Sequence, residues 1–115
     1  MAILNYNKQN GLKFMTKGVQ KLFINIENIM FIQCDGDLST MYLDDYSKIG
    51  EIKTLKEFED DLSDKGFIRI SRNTMINCKF ITKVKTNQGN RIIELGEIKF
   101  SVSRRKFKDL KSIFF

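Results

Sequence analysis

The sequence contains no histidine and no proline. Without histidine, a Ser-His or Cys-His nucleophile, a histidine general base and a mixed His/Cys zinc site are all excluded within these residues. Without proline there are no proline kinks, rigid linkers or cis turns. Cysteine is scarce: Cys34 and Cys78 stand far apart and fit no metal or redox spacing. Each follows a hydrophobic run and reads as a small, half-buried thiol. The longest wholly apolar run, Ile29-Met30-Phe31-Ile32, falls far short of the ~20 residues that span a membrane. So few cysteines and no secretory leader make a reducing cytoplasm the expected compartment. No acidic residues pair in an arrangement for acid-base work. The expectation is therefore a protein that is not an enzyme, with no cofactor and no metal.

What is present is a soluble-type composition, 42% hydrophobic and 30% charged over 115 residues, which fits one folded domain rather than a disordered chain. The net charge of +6 is unevenly spread. Residues 1–65 hold 8 Lys/Arg against 11 Asp/Glu, whereas residues 66–115 hold 12 against 3. The second half is thus strongly basic, the footprint of a polyanion binder, although a solvated surface or a headgroup patch has the same composition.

Along the chain, residues 1–11 are polar and read as a flexible lead-in or linker remnant, with the domain over 12–115. Leu12–Thr16 and Val19–Ile24 read as strands around Lys17-Gly18. Asn25–Asn28 fits a single helical turn or a tight crossover. A buried strand over Ile29–Gln33 turns at Asp35-Gly36 into a partner over Leu38–Leu43. Asp35-Gly36-Asp37 lacks the further oxygen ligands and the terminal glutamate of a calcium loop, so it is assigned to the hairpin. Lys48–Lys53 is a further strand.

Thr54-Leu55-Lys56-Glu57 has the form of a capping box, and Leu55, Phe58 and Leu62 share one helical face before Gly66, which predicts a helix over Leu55–Asp64. Its acidic side chains Glu59, Asp60 and Asp61 are expected to face away from any nucleic acid. Further strands are expected over Lys79–Lys85, Arg91–Leu95 and Ile98–Val102, joined by turns at Asn87–Asn90 and Gly96-Glu97. Phe107, Leu110, Ile113 and Phe114 then predict a short C-terminal helix capped by Ser103.

Two stretches stand out. Phe67-Ile68-Arg69-Ile70 enters the core, Ser71-Arg72-Asn73-Thr74 leaves it, and Met75-Ile76 returns. A polar loop held at both ends by buried strands can fix a guanidinium and an amide, the groups that read guanine and adenine edges or grip phosphate. An exposed hairpin turn with ordinary polar filling has the same pattern. The C-terminal helix opens on Arg104, Arg105 and Lys106, where the helix dipole disfavours cations by ~0.3–1 kcal/mol each. Three there suit a bound phosphate better than they suit stability, unless the side chains swing out to water.

Phe67-x-Arg69-x-Ser71-Arg72-Asn73-x-Met75-Ile76-Asn77, followed by Val102-Ser103-Arg104-Arg105, resembles the LytTR family of bacterial DNA-binding domains. The family pattern is F-x-R-x-H-R-S-x-[LVI]-[VI]-N with a terminal V-S-R-[RK]. Ile26-x-x-Ile29-Met30-Phe31-Ile32 and Leu55-Lys56-Glu57-Phe58 resemble two of its earlier blocks, so the likeness runs from about Lys13 to Phe115. Ser71 stands where histidine is usual and Asn73 where serine is usual, differences that bear on which DNA sequence is preferred. Gln33-Cys34 replaces a common Glu-Ala, and Ser101 a frequent proline.

The resemblance implies a mainly β fold, an elongated sandwich of small antiparallel sheets with one short central helix and a short C-terminal helix. It implies duplex DNA binding through loops in successive major grooves at promoter direct repeats, in a response-regulator or freestanding transcriptional regulator. Arg72 is then a base contact, and Arg105, with Arg104 as the alternative, contacts base or backbone. Ser71, Asn73, Lys79 and Lys106 become their neighbours on phosphate or base. Arg69 is either a surface cation or a phosphate contact, Asn77 a turn-stabilising amide. The Asp35–Leu38 turn, with Asp37 and Leu38, supplies a further contact. Double-stranded DNA, a second copy on a neighbouring repeat and RNA polymerase are the implied partners; the receiver that usually accompanies such domains is not in this sequence.

Two other classes compete with duplex reading. Ten phenylalanines and a basic surface could stack single-stranded DNA or RNA, but most of those rings fall at core positions. An enzyme is the weakest, for want of a nucleophile-base pair or metal cluster.

Overall fold

A computed structural model describes residues 12–17 and 20–114. The expected lead-in over 1–11, the Lys17-Gly18 turn in part, and Phe115 lie outside the described residues. The molecule measures 48 × 29 × 25 Å, an elongated body. Strands β1 (Leu12–Lys17) and β2 (Gln20–Asn25) form an antiparallel pair. A five-stranded antiparallel sheet follows, in the order β5-β4-β3-β7-β6, from β3 (Ile29–Asp35), β4 (Leu38–Leu43), β5 (Lys48–Ile52), β6 (Phe67–Arg69) and β7 (Thr74–Asn77). A three-stranded sheet, ordered β10-β9-β8, comes from β8 (Lys83–Asn87), β9 (Asn90–Leu95) and β10 (Ile98–Ser101). The two helices are α1 (Leu55–Leu62) and α2 (Arg104–Phe114).

The central sheet separates two cores, and a bulge on β3 makes this possible. Ile29 pairs with Leu43 and Phe31 with Tyr42, so Met30 is the extra residue. A bulge inserts one residue and reverses the alternation beyond it. Ile29 and Ile32 therefore face one side with Met41, Met75 and the α1 residues Leu55, Phe58 and Leu62. Phe31 faces the other, with Ile76, the three-stranded sheet's Ile93 and Leu95, and Phe107 and Leu110 of α2. Phe31 stacks on Tyr42 at 4.3 Å and meets Phe100 edge-on at 5.0 Å, locking the outer sheet to the inner one.

The capping box forms as expected. Glu57 N donates to Thr54 Oγ1 at 3.2 Å and Thr54 N to Glu57 Oε1 at 3.0 Å. The bonds that Glu57 Oε1 accepts from Thr54 N and from Thr54 Oγ1 hold the Glu57 carboxyl below its usual pKa. The helix ends at Leu62 rather than Asp64, continuing as a 3-10 turn over Ser63–Lys65 to Gly66 at φ 85°, a left-handed position that costs glycine nothing. A second difference is larger. The expected strand from Lys79 begins only at Lys83, because Cys78–Phe80 forms a 3-10 turn whose Lys79 amide is capped by the Asn77 side chain. Asn77 is buried, and its Nδ2 donates to the Ile29 carbonyl at 3.0 Å beside the bulge. It is thus a backbone-satisfying amide. Burial pushes the Cys78 thiol pKa up, which favours the protonated thiol.

Candidate nucleic-acid interface

Strand pairing brings three separate segments to one end of the molecule. Because β7 runs antiparallel to β3, with Gln33 opposite Thr74, the loop before β7 lies beside the turn after β3. The two are joined by a bond from Cys34 N to the Asn73 carbonyl at 2.9 Å. The third segment leaves β10 and starts α2, where Ser103 Oγ accepts from Lys106 N at 3.1 Å as the cap.

The loop over residues 70–73 is held at both ends and from beneath. Ile70 is buried, and its amide donates to the Thr74 carbonyl at 2.9 Å. Asn73 Oδ1 accepts from Ser71 Oγ at 2.9 Å and from Thr74 Oγ1 at 3.1 Å. Arg69 is half-buried and turned inward under the loop. It donates from Nε to the Ser71 carbonyl at 3.2 Å and from Nη2 to the Arg72 carbonyl at 2.7 Å. Nη1 meets Glu59 Oε1 of α1 at 3.3 Å. A planar guanidinium with a fixed fork of donors can serve three acceptors at once, where an ammonium could not hold the same geometry.

Arg72 and Arg105 are exposed, and neither guanidinium has an intramolecular hydrogen bond or ion pair among the described residues. Both line one open cavity of about 570 Å³ together with Ser71, Ser103, Lys106 and Arg69, while Glu59 and Asp109 supply its only acids. Arg72 also lines a neighbouring depression with Cys34, Asp35, Gly36 and Asn73. It therefore stands as the wall between the 35–37 turn and the start of α2.

Several sequence-predicted residues take unforeseen places. Glu59 does not face away from the basic end as expected of the α1 acidic face; it sits in the cavity, drawn there by Arg69. Asp60 and Asp61 do lie elsewhere, bonded to Lys56 and Lys53. Arg104 parts from Arg105: its Nη2 lies 4.0 Å from where a Cβ on Gly89 would stand, against the β8–β9 turn. Lys79 is exposed with Nζ 5.3 Å above the Phe80 ring, beyond the end of β7 opposite the loop. The structure does not bring it to either depression. Asp37 is fixed through its carbonyl, which accepts from Lys53 N at 2.8 Å, and Leu38 is 46% exposed beside Ile52 on the next strand.

Glu59 and the inward turn of Arg69 are the features sequence reasoning missed. Helical spacing did carry a signal for Glu59, which lies four residues after the buried Leu55 and three before the buried Leu62 and so at the edge of the buried face. Among the described residues, no helix is long and apolar enough to cross a membrane, and no three His, Cys, Asp or Glu side chains gather as metal ligands.

A family model for the LytTr DNA-binding domain matches residues 20–115. Among solved structures, one described as the LytTr DNA-binding domain of a methyl-accepting/DNA response regulator from Bacillus cereus is similar to this chain with a TM-score of 0.74. It covers 90% of this chain and 95% of its own at 13% identity, a likeness of fold. No curated protein sequence matches the chain.

Proposed function

This chain belongs to the LytTr DNA-binding domain family, and on that premise we propose that it reads specific duplex DNA as part of a bacterial transcriptional regulator, with its loops in successive major grooves at promoter direct repeats. The observation that carries this reading is the meeting of Arg72 and Arg105 around one cavity, both exposed and neither partnered within the chain among the described residues. A guanidinium that its own protein leaves unpaired, on backbone that its own protein holds rigid, is suited to the O6 and N7 atoms of guanine. Residues 12–115 make up the binding unit in this reading.

The roles divide by what each side chain has left to give. Arg72 and Arg105 contact bases, and Lys106 and Ser103 approach phosphate at the start of α2, where amides add to the positive field. Ser71 and Asn73 spend their oxygens on the loop, leaving the Asn73 amide nitrogen to donate to base or phosphate. Arg104 grips the backbone beside the β8–β9 turn. In the 35–38 turn, Leu38 suits a thymine methyl and Asp37 a cytosine amino group, because a carboxylate repels phosphate. A second copy on the adjacent repeat and RNA polymerase are the further partners.

Among the residues whose burial is described, no phenylalanine is exposed to stack a single strand, and Tyr46 alone of the aromatic side chains stands open, at 92%. Phe31, Phe58, Phe67 and Phe107 are buried, and Phe80 and Phe100 are half-buried. Selection of bound duplexes from a random pool tests the proposal. Recovery of a defined motif in direct repeat supports it, and a preference for single strands, or no enriched motif, overturns it.

A further inference from the structure

The outer face of the three-stranded sheet carries a second set of cations. Register places Lys83 opposite Glu94 and Glu94 opposite Lys99, so the three side chains cross β8, β9 and β10 in one row. Neighbouring strands lie ~4.8 Å apart, which makes that row ~10 Å wide. Lys85 lies on the same face in the next row, and its Nζ meets Glu94 Oε2 at 2.8 Å. Glu94 is therefore a single carboxylate among three ammonium groups. Its pKa is held down by the Lys85 hydrogen bond first and by the charges of Lys85, Lys99 and Lys83 after it. Among the described residues, neither Lys83 nor Lys99 has an ion-pair partner. For stability alone the arrangement is wasteful, because one acid cannot offset three cations packed on one face.

This face adjoins the cavity. Ser101 is two residues beyond Lys99 on β10, shares its face, and lines the cavity with Arg72 and Arg105. Two residues along a strand span ~6.7 Å. The support is rigid: Thr82 Oγ1 donates to the Glu94 carbonyl at 3.1 Å and accepts from Gly96 N at 3.0 Å, tying the start of β8 to the β9–β10 turn.

We infer that Lys83 and Lys99, with Lys85 in the Ser101 row between them and the cavity, form a backbone-gripping flank that extends the DNA footprint from the cavity onto the outer sheet. The inference rests on the duplex-binding function proposed above and adds a second surface to it. Charge complementarity and continuity with the cavity select a phosphate backbone as its occupant. The contacts are with phosphates alone, so the flank adds affinity and favours a duplex bent toward the sheet, without reading sequence.

The test uses the whole chain and two variants, Lys83→Gln/Lys99→Gln and Glu94→Gln, all checked for folding by thermal melting. Binding to a selected duplex and to a scrambled one is measured across a range of salt. Each phosphate contact contributes ~0.9 to the slope of log K against log salt. The lysine double variant should lower that slope by about 2 on both duplexes and leave the cognate-to-scrambled ratio within about twofold. Glu94→Gln, which releases Lys85, should steepen the slope by about 1. Unchanged slopes in folded variants, while the unaltered chain still binds its duplex, overturn the flank but not the function. Failure of the unaltered chain to bind any duplex would instead remove the function itself. Unchanged slopes together with lost transcription activation would assign the face to an acidic protein and overturn the inference.

Discussion

Arg69 donates from Nη2 to the backbone carbonyl of Arg72 at 2.7 Å, so one arginine holds the peptide that presents the other. The pair divides its labour. Arg69 spends its donors on Ser71, Arg72 and Glu59, and Arg72 keeps all of its own.

That division makes Arg69 a positioning residue. Hydrogen bonds involving a charged group are worth ~1.5–3 kcal/mol. Arg69→Ala should therefore weaken cognate binding at least tenfold in fluorescence anisotropy with Arg72 intact. Arg69→Lys keeps the charge and loses the planar fork, so it should fall nearly as far. Full retention of affinity by Arg69→Lys would mark Arg69 as a simple phosphate contact.

Asn77 has the opposite signature. Its amide satisfies the buried Ile29 carbonyl and the Lys79 amide. Leaving a buried carbonyl unpartnered costs ~1–3 kcal/mol. Asn77→Ala should lose that much in urea unfolding, while the folded fraction discriminates cognate from scrambled duplex as before.

The capping box predicts an acid-side weakness. The Glu57 carboxyl has its pKa lowered in the folded chain by bonds from Thr54, below the ordinary glutamate value of 4.5. Its contribution is fully present above the unfolded pKa and is lost as pH falls through the lower, folded value. Thr54→Ala should cost ~1 kcal/mol near neutral pH. Its deficit should shrink in part in unfolding experiments carried below pH 4.5, because the wild-type chain there loses the Thr54 Oγ1 bond to the Glu57 carboxylate while keeping the one from Glu57 N to Thr54 Oγ1.

Lys79 provides a negative control. It was expected among the DNA contacts, yet it lies beyond the far end of β7 from the 70–73 loop. Lys79→Ala should leave cognate affinity within about twofold and the salt slope unaltered. A slope lowered by ~0.9 would restore it as a phosphate contact.

Much of this architecture is written in local patterns. Thr54 and Glu57 announce α1, Asp35-Gly36 and Gly96-Glu97 mark hairpins, and Leu38–Leu43 is the partner strand that the first of those turns implies. The basic loop and the Arg104–Lys106 turn are visible as charge standing where stability does not ask for it. What the sequence conceals is direction. The bulge at Met30 reverses the faces of β3 without leaving the apolar run, so the pattern cannot reveal that Ile29 and Phe31 enter different cores. Arg69 reads as a strand's outward cation until Glu59 and two loop carbonyls are seen to draw it inward. Lys79 reads as the start of a strand because nothing nearby announces that Asn77 will cap a 3-10 turn. Arg104 and Arg105, adjacent in sequence, diverge because successive helical positions point about 100° apart.

The most direct test titrates Arg72→Ala, Arg105→Ala and the double variant against a selected duplex and a scrambled one of equal length. Each single change should cost ~1–3 kcal/mol on the selected duplex and distinctly less on the scrambled one, with the double variant losing most of the discrimination. Equal losses on both duplexes would contradict the claim that these two arginines read one double helix from a shared face.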